Sequence, residues 1–147
     1  MFASIVVGTD GSATATAAVR RACALAEAHS SALHIVSAYP SSAASLVARG
    51  KDPASVPLDD EDTDVCAAVE RMLEEVRRQH AGPGVKITTH AVGYDPITAI
   101  VDVAKAQQAD LIVVGNKGMQ GTKRKLGSVP DVLAHIAPCD VLIVNTT

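Results

Sequence analysis

Aromatic side chains are nearly missing from this 147-residue sequence, which has no tryptophan, one phenylalanine and two tyrosines. Single-stranded RNA or DNA is recognised largely by stacking bases on aromatic rings, so an aromatic content of 2% leaves little for that chemistry. An excess of positive charge is also lacking. Lys and Arg number 13 against 16 Asp and Glu, a net charge of −3, which gives no reason to expect nucleic acid or an anionic membrane as the main partner. Cys23, Cys66 and Cys139 are far apart and form no CxxC pair, so neither a disulfide framework nor a zinc site is indicated and a reducing interior fits best. No apolar run approaches the roughly 18 residues that span a bilayer, and the opening MFASIVVGTD has no basic segment of the secretory kind. The expectation is a soluble cytoplasmic protein with neither a nucleic-acid nor a membrane partner.

Aliphatic residues are what the chain has in plenty, and hydrophobic residues make up 48% of it. Four short apolar runs stop at turn residues or polar punctuation: Ile5 to Val7, Leu33 to Ala38, Leu111 to Val114 and Val141 to Val144. Each predicts a buried strand. A fifth, Val85 to Val92, alternates between apolar and polar positions and predicts a sheet-edge strand. Between the runs the period lengthens to that of a helix, with stripes at Ala15–Ala26, Val65–Val76, Ile97–Ala104 and Val129–Ile136. Ser12 is placed to cap the first helix, Gly82-Pro83-Gly84 to stop the second, and Pro96 to sit in the first turn of the third. The order βαβαβαβαβ over residues 1–147 predicts one α/β domain, a doubly wound parallel sheet with helices on both faces. The Ser- and Ala-rich stretch from Pro40 to Asp60 reads as a flap.

Ligands of such sheets bind beyond the carboxyl ends of the strands, at the point where the crossovers reverse. Two strand ends carry residues suited to an anion: GTDGS at 8–12, and GNKGMQGTKRKLGSVP at 115–130. If both line one site, strands one and four are neighbours and the strand order is 3-2-1-4-5. Gly115 and Gly118 would let the backbone approach a ligand closely. Gly127 and Ser128 open the last helix, whose amides and dipole favour an anion; Ser128 could cap it or donate its hydroxyl to a phosphate. Lys123, Arg124, Lys125 and nearby Lys117 could supply charge for several phosphates. The alternative stays open that this is only a tight βα turn with solvated cations. Neither GxxxxGK[ST] nor GxGxxG occurs. Ser128 has no base that the sequence places beside it, the acids from Asp59 to Asp64 suit a helix start, and His29, His34, His80 and His90 are scattered. No catalytic residue and no metal site is therefore expected.

Over essentially its whole length the chain resembles the universal stress proteins. The resemblance is carried by IVVGTDGS at 5–12, the Gly93 to Pro96 segment with its following Ile and Ala stripe, ADLIVVGNKG at 109–118, LGSVP at 126–130 and the terminal CDVLIVNTT. It implies the five-stranded 3-2-1-4-5 fold and, since the Gly-rich pattern is retained, the nucleotide-binding branch of the family. It also implies that Gly8, Thr9 and Asp10 meet the nucleoside, Ala38 lies against adenine, and Val114 and Gly115 line the ribose side. Gly118, Gly127, Ser128 and Val129 would hold phosphates, with Lys123 and Lys125 for additional phosphate charge. Between Gly118 and Gly127 stand the eight residues MQGTKRKL, where the family signature has nine.

The implied ligand is ATP, alone or with magnesium. Cyclic AMP is the alternative, because the GNxG and LGSVP wording is similar to an actinobacterial group described as binding it, and a nucleotide-free interaction or chaperone-like dimer is a further one. At most slow ATP hydrolysis is expected. The last strand, Val141 to Val144, would lie at a sheet edge, where pairing with a second copy gives a twofold homodimer like those of the family.

Overall fold

Ile5, Val6 and Val7 are all fully excluded from solvent, and a strand buried on both faces belongs in the interior of a covered sheet. β1 (Ser4–Gly8) accordingly lies between β2 (Ala32–Ala38) and β4 (Leu111–Gly115). β3 (Lys86–Val92) flanks β2, and β5 (Asp140–Val144) flanks β4. Every pairing is parallel, giving the order β3-β2-β1-β4-β5 that the split motif requires. The computed structural model describes residues 1–41, 50, 52, 60–116 and 128–146. Most of the stretch read as a flap therefore lies outside the described residues.

The two-residue period of the strands sorts the core into two layers. Ile5, Val7, Leu33, Ile35 and Val113 pack against α1 (Ala13–His29) and α2 (Asp60–His80). Val6, Val36, Ile112 and Val114 face the other way, against α3 (Pro96–Ala106) and α4 (Val129–Ile136). Each fully buried Val, Leu or Ile contributes about 1.5–3 kcal/mol, so β1 alone anchors both layers. α1 presents small residues, Ala18, Ala22 and Ala26, to the sheet, which lets its backbone lie close.

Local chemistry sets the helix ends. Ser12 accepts from Ala15 N at 3.2 Å and caps α1, which closes at Ser30 in the left-handed region. Asp95 caps α3, accepting from Thr98 N at 3.0 Å, with Pro96 in the first turn. α2 starts at Asp60, and the carboxylates of Asp62 and Asp64 near that end suit the helix dipole. At the opposite end of the sheet Asp110 accepts from the amides of Ala3 at 2.8 Å and Ser4 at 3.1 Å, fixing where β1 begins relative to β4.

Two histidines that look scattered in sequence meet in the fold. Parallel pairing of β2 with β3 places His34 Nδ1 3.0 Å from His90 Nε2. The ring centroids are 5.2 Å apart, so a ring radius at each end accounts for the difference and the two nitrogens point head-on. That is the geometry of a shared proton, whereas a chelated metal needs lone pairs that converge on a third point. Burial holds both imidazoles below the ordinary histidine range, and for His34 the neighbouring His90 and Lys86 push in the same direction. The unfolded chain therefore takes up protons first as the pH drops, and stability present above about pH 6.5 is lost below it. The urea midpoint should fall between about pH 7 and about pH 5. His90→Gln, which keeps a hydrogen-bonding partner without the titration, should flatten that slope.

Candidate functional site

The turn after β1 builds one rim of a cleft. Thr9 N continues the ladder to Val36 O at 2.9 Å, and then Thr9 Oγ1 accepts from Gly11 N at 3.1 Å. Asp10 Oδ1 accepts from Ser12 N at 2.9 Å. Gly11 sits at φ 79°, in the left-handed region that glycine adopts without strain, and this turns the chain into α1. Thr9, Asp10, Ser12 and Thr14 thereby reach the same opening.

The opposite rim comes from Val114 and Gly115 of β4 and from Val129 and Pro130 at the start of α4, while Pro96 and Ile100 of α3 close one side. Val36 and Ala38 of β2 complete the lining. The cleft encloses about 220 Å³ and lies at the carboxyl end of β1 and β4, where the crossovers reverse. Of the residues singled out from sequence, Gly8, Thr9, Asp10, Ala38, Val114, Gly115 and Val129 line it together. Ser128 lies one residue from this wall. Its backbone is extended as an N-cap requires, but its hydroxyl makes no cap hydrogen bond. Gly118, Lys123, Lys125 and Gly127, with Lys117 and Arg124, lie outside the described residues.

Gly8 has a role its motif does not announce. A Cβ there would stand 2.8 Å from Ile100 Cδ1, so the missing side chain makes room for Ile100 beside the cleft. Sequence reasoning left out Ile100, Val36, Ser12, Thr14, Ala15 and Pro130 as lining residues. Ile100 was visible as part of a helical stripe, but nothing in the stripe says which member turns toward the strand end.

Ala38 offers backbone rather than side chain. Val36 directs its carbonyl to β1 through Thr9, and Tyr39 directs its N–H to β3 through Val92 O at 3.0 Å. By two-residue alternation Ala38 turns its N–H and C=O to the β1 side, where β1 has already ended. A donor and an acceptor of one residue thus face the cleft without a strand to take them. At the other rim, Val129 is the first helical residue of α4, a position whose N–H takes no part in the helix's own hydrogen-bond ladder.

A family model for the universal stress protein family matches residues 1–145. A universal stress protein of Mycobacterium tuberculosis strain H37Rv is 36% identical over 150 residues, covering 99% of this chain and 98% of its own. One from Methanocaldococcus jannaschii is 34% identical, covering 99% and 83%. Among solved structures, a universal stress protein in complex with cAMP is 33% identical and superposes with a TM-score of 0.75 over 99% of this chain and 98% of that one.

Gly8→Ala should drive Ile100 toward the cleft and lower unfolding free energy by about 1–3 kcal/mol. Because Ile100→Val removes the methyl in the way, the double variant should be more stable than the summed single effects by about 1 kcal/mol in urea denaturation.

Proposed function

The chain belongs to the universal stress protein family, and we propose that it is a binding module for an adenine nucleotide held between the ends of β1 and β4. The backbone of Ala38 carries this reading. An adenine edge presents an acceptor beside an amino donor, the complement of one strand residue's N–H and C=O, and the surrounding Val36, Ile100 and Val114 give the apolar walls a purine needs. Asp10 and Thr9 at the polar rim suit ribose hydroxyls. The amide of Val129 at the start of α4 suits the first phosphate.

ATP is the favoured ligand, with or without magnesium, because Lys123 and Lys125 offer charge that a single phosphate would not use. A second reading, cyclic AMP, has its own support: the 33% identical relative is solved in complex with it. The start of α4 also holds Pro130, which lacks an N–H, and Asp131, which already complements the dipole, so this helix start suits one negative charge better than several. In either case the protein binds and signals rather than catalyses. Neither His nor Lys lines the described cleft as a base, and slow ATP hydrolysis is the most we assign to it.

We place the protein in the cytoplasm, in keeping with its three free thiols. Among the described residues no helix is long and apolar enough to cross a membrane. We also assign it a twofold homodimer through Val141 to Val144. In β5 Val141, Leu142 and Ile143 stay partly exposed, and Ile136 at the end of α4 is 53% exposed.

Nucleotide should survive purification and appear in the supernatant of heat-denatured protein by ion-pair chromatography. Titration with ATP, ADP and cyclic AMP, each with and without magnesium, ranks the ligands; absence of binding for all three would remove the proposal. Ala38→Pro removes the cleft-facing donor without breaking a ladder bond to β3, and should weaken binding about tenfold or more with the far-UV spectrum unchanged. Sedimentation at micromolar concentration should give a dimer, and Leu142→Asp should give a monomer.

A further inference from the structure

The chain leaves the sheet at Val144, and its next two residues are held by Asn116, which follows the cleft-lining Gly115. Asn116 donates its backbone N–H to Val144 O at 3.0 Å. Its side-chain oxygen accepts twice from Thr146, from the backbone N at 3.0 Å and from Oγ1 at 2.8 Å. Its Nδ2 donates to Asn145 Oδ1 at 3.2 Å. Both lone pairs of one amide oxygen are thus spent on a single residue beyond the last strand.

Thr146 then turns its methyl onto the cleft wall. A Cβ on Gly115 would lie 3.0 Å from Thr146 Cγ2 and 3.8 Å from the carbonyl oxygen of Thr14 in the first turn of α1. Gly115 and Thr14 both line the cleft, and Gly115 has no side chain of its own to fix its position. The methyl of Thr146 thus fills the space a side chain on Gly115 would take, on the α1 side of the strand, and stands as a spacer between the end of β4 and the first turns of α1.

We propose that Asn116 and Thr146 are positioning residues of the cleft: the clamp between them holds the Gly115 backbone at the separation from α1 that the ligand occupies. The proposal rests on the adenine-nucleotide reading and adds to it a regulatory consequence. Coupling between two sites is reciprocal, so a ligand that requires Gly115 in place tightens the tail, and anything that pulls the tail away weakens the ligand. A clamp that merely finished off the sheet would add stability and leave affinity alone.

Two measurements separate these roles. In the unsubstituted protein, hydrogen exchange at the Thr146 amide should slow several-fold when ATP or cyclic AMP saturates the cleft, whichever binds; an unchanged rate overturns the proposal. Thr146→Val keeps the methyl and the backbone donor but loses Oγ1, and should weaken that nucleotide by about threefold to tenfold at an unchanged melting temperature. A lower melting temperature with affinity intact would overturn it. If the unsubstituted protein binds no adenine nucleotide, the functional reading fails first and the clamp's role in it fails with it; if it binds and neither measurement moves, the clamp alone fails.

Discussion

β1 is flanked on both edges and buried on both faces, and it ends at Gly8 while β2 continues to Ala38. Right-handed crossovers send the chain from β1 to β2 on one side of the sheet and from β3 to β4 on the other, so the ends of β1 and β4 part with nothing between them. That gap arises from chirality and strand length before any particular side chain is chosen. It is also where backbone groups of a longer neighbour run out of partners. The GTDGS turn, the start of α4, the tail and the packing of Ile100 all refer to this opening.

Backbone carries much of the site, which explains why its legibility was uneven. The strands were plain because β-branched runs buried on both faces cannot be mistaken for a stripe, and the cap at Ser12 and the first-turn position of Pro96 followed from local chemistry. Ala38 could be named only through family resemblance. Alanine has no chemistry to announce, and its role comes from the strand running past its neighbour. Gly8 could be read as a turn residue or a ligand contact, whereas the structure shows it yielding space to Ile100, a partner 92 positions away that no local pattern supplies.

The histidines illustrate the same limit from the opposite direction. His34 and His90 are separated by 56 residues and look unrelated, and only the parallel register of β2 and β3 makes them neighbours. Likewise Asn116 and Thr146 stand in stretches that carry the family resemblance, but nothing in either stretch pairs one with the other. Their pairing depends on β4 and β5 ending level, Gly115 opposite Val144, so that the residues just beyond the sheet face one another. Sequence supplies the elements; shared register decides which side chains meet.

The two edges of the sheet are unlike, which bears on the proposed self-association. β3 carries Lys86, Thr88 and His90 on the face away from α2, with His90 already committed to His34, while β5 exposes parts of Val141, Leu142 and Ile143. A sheet inviting at both margins would be the repeat unit of a fibre, each copy extending the last. In the dimer proposed through β5, one hospitable margin and one guarded by polar side chains would let growth finish with the first copy to arrive.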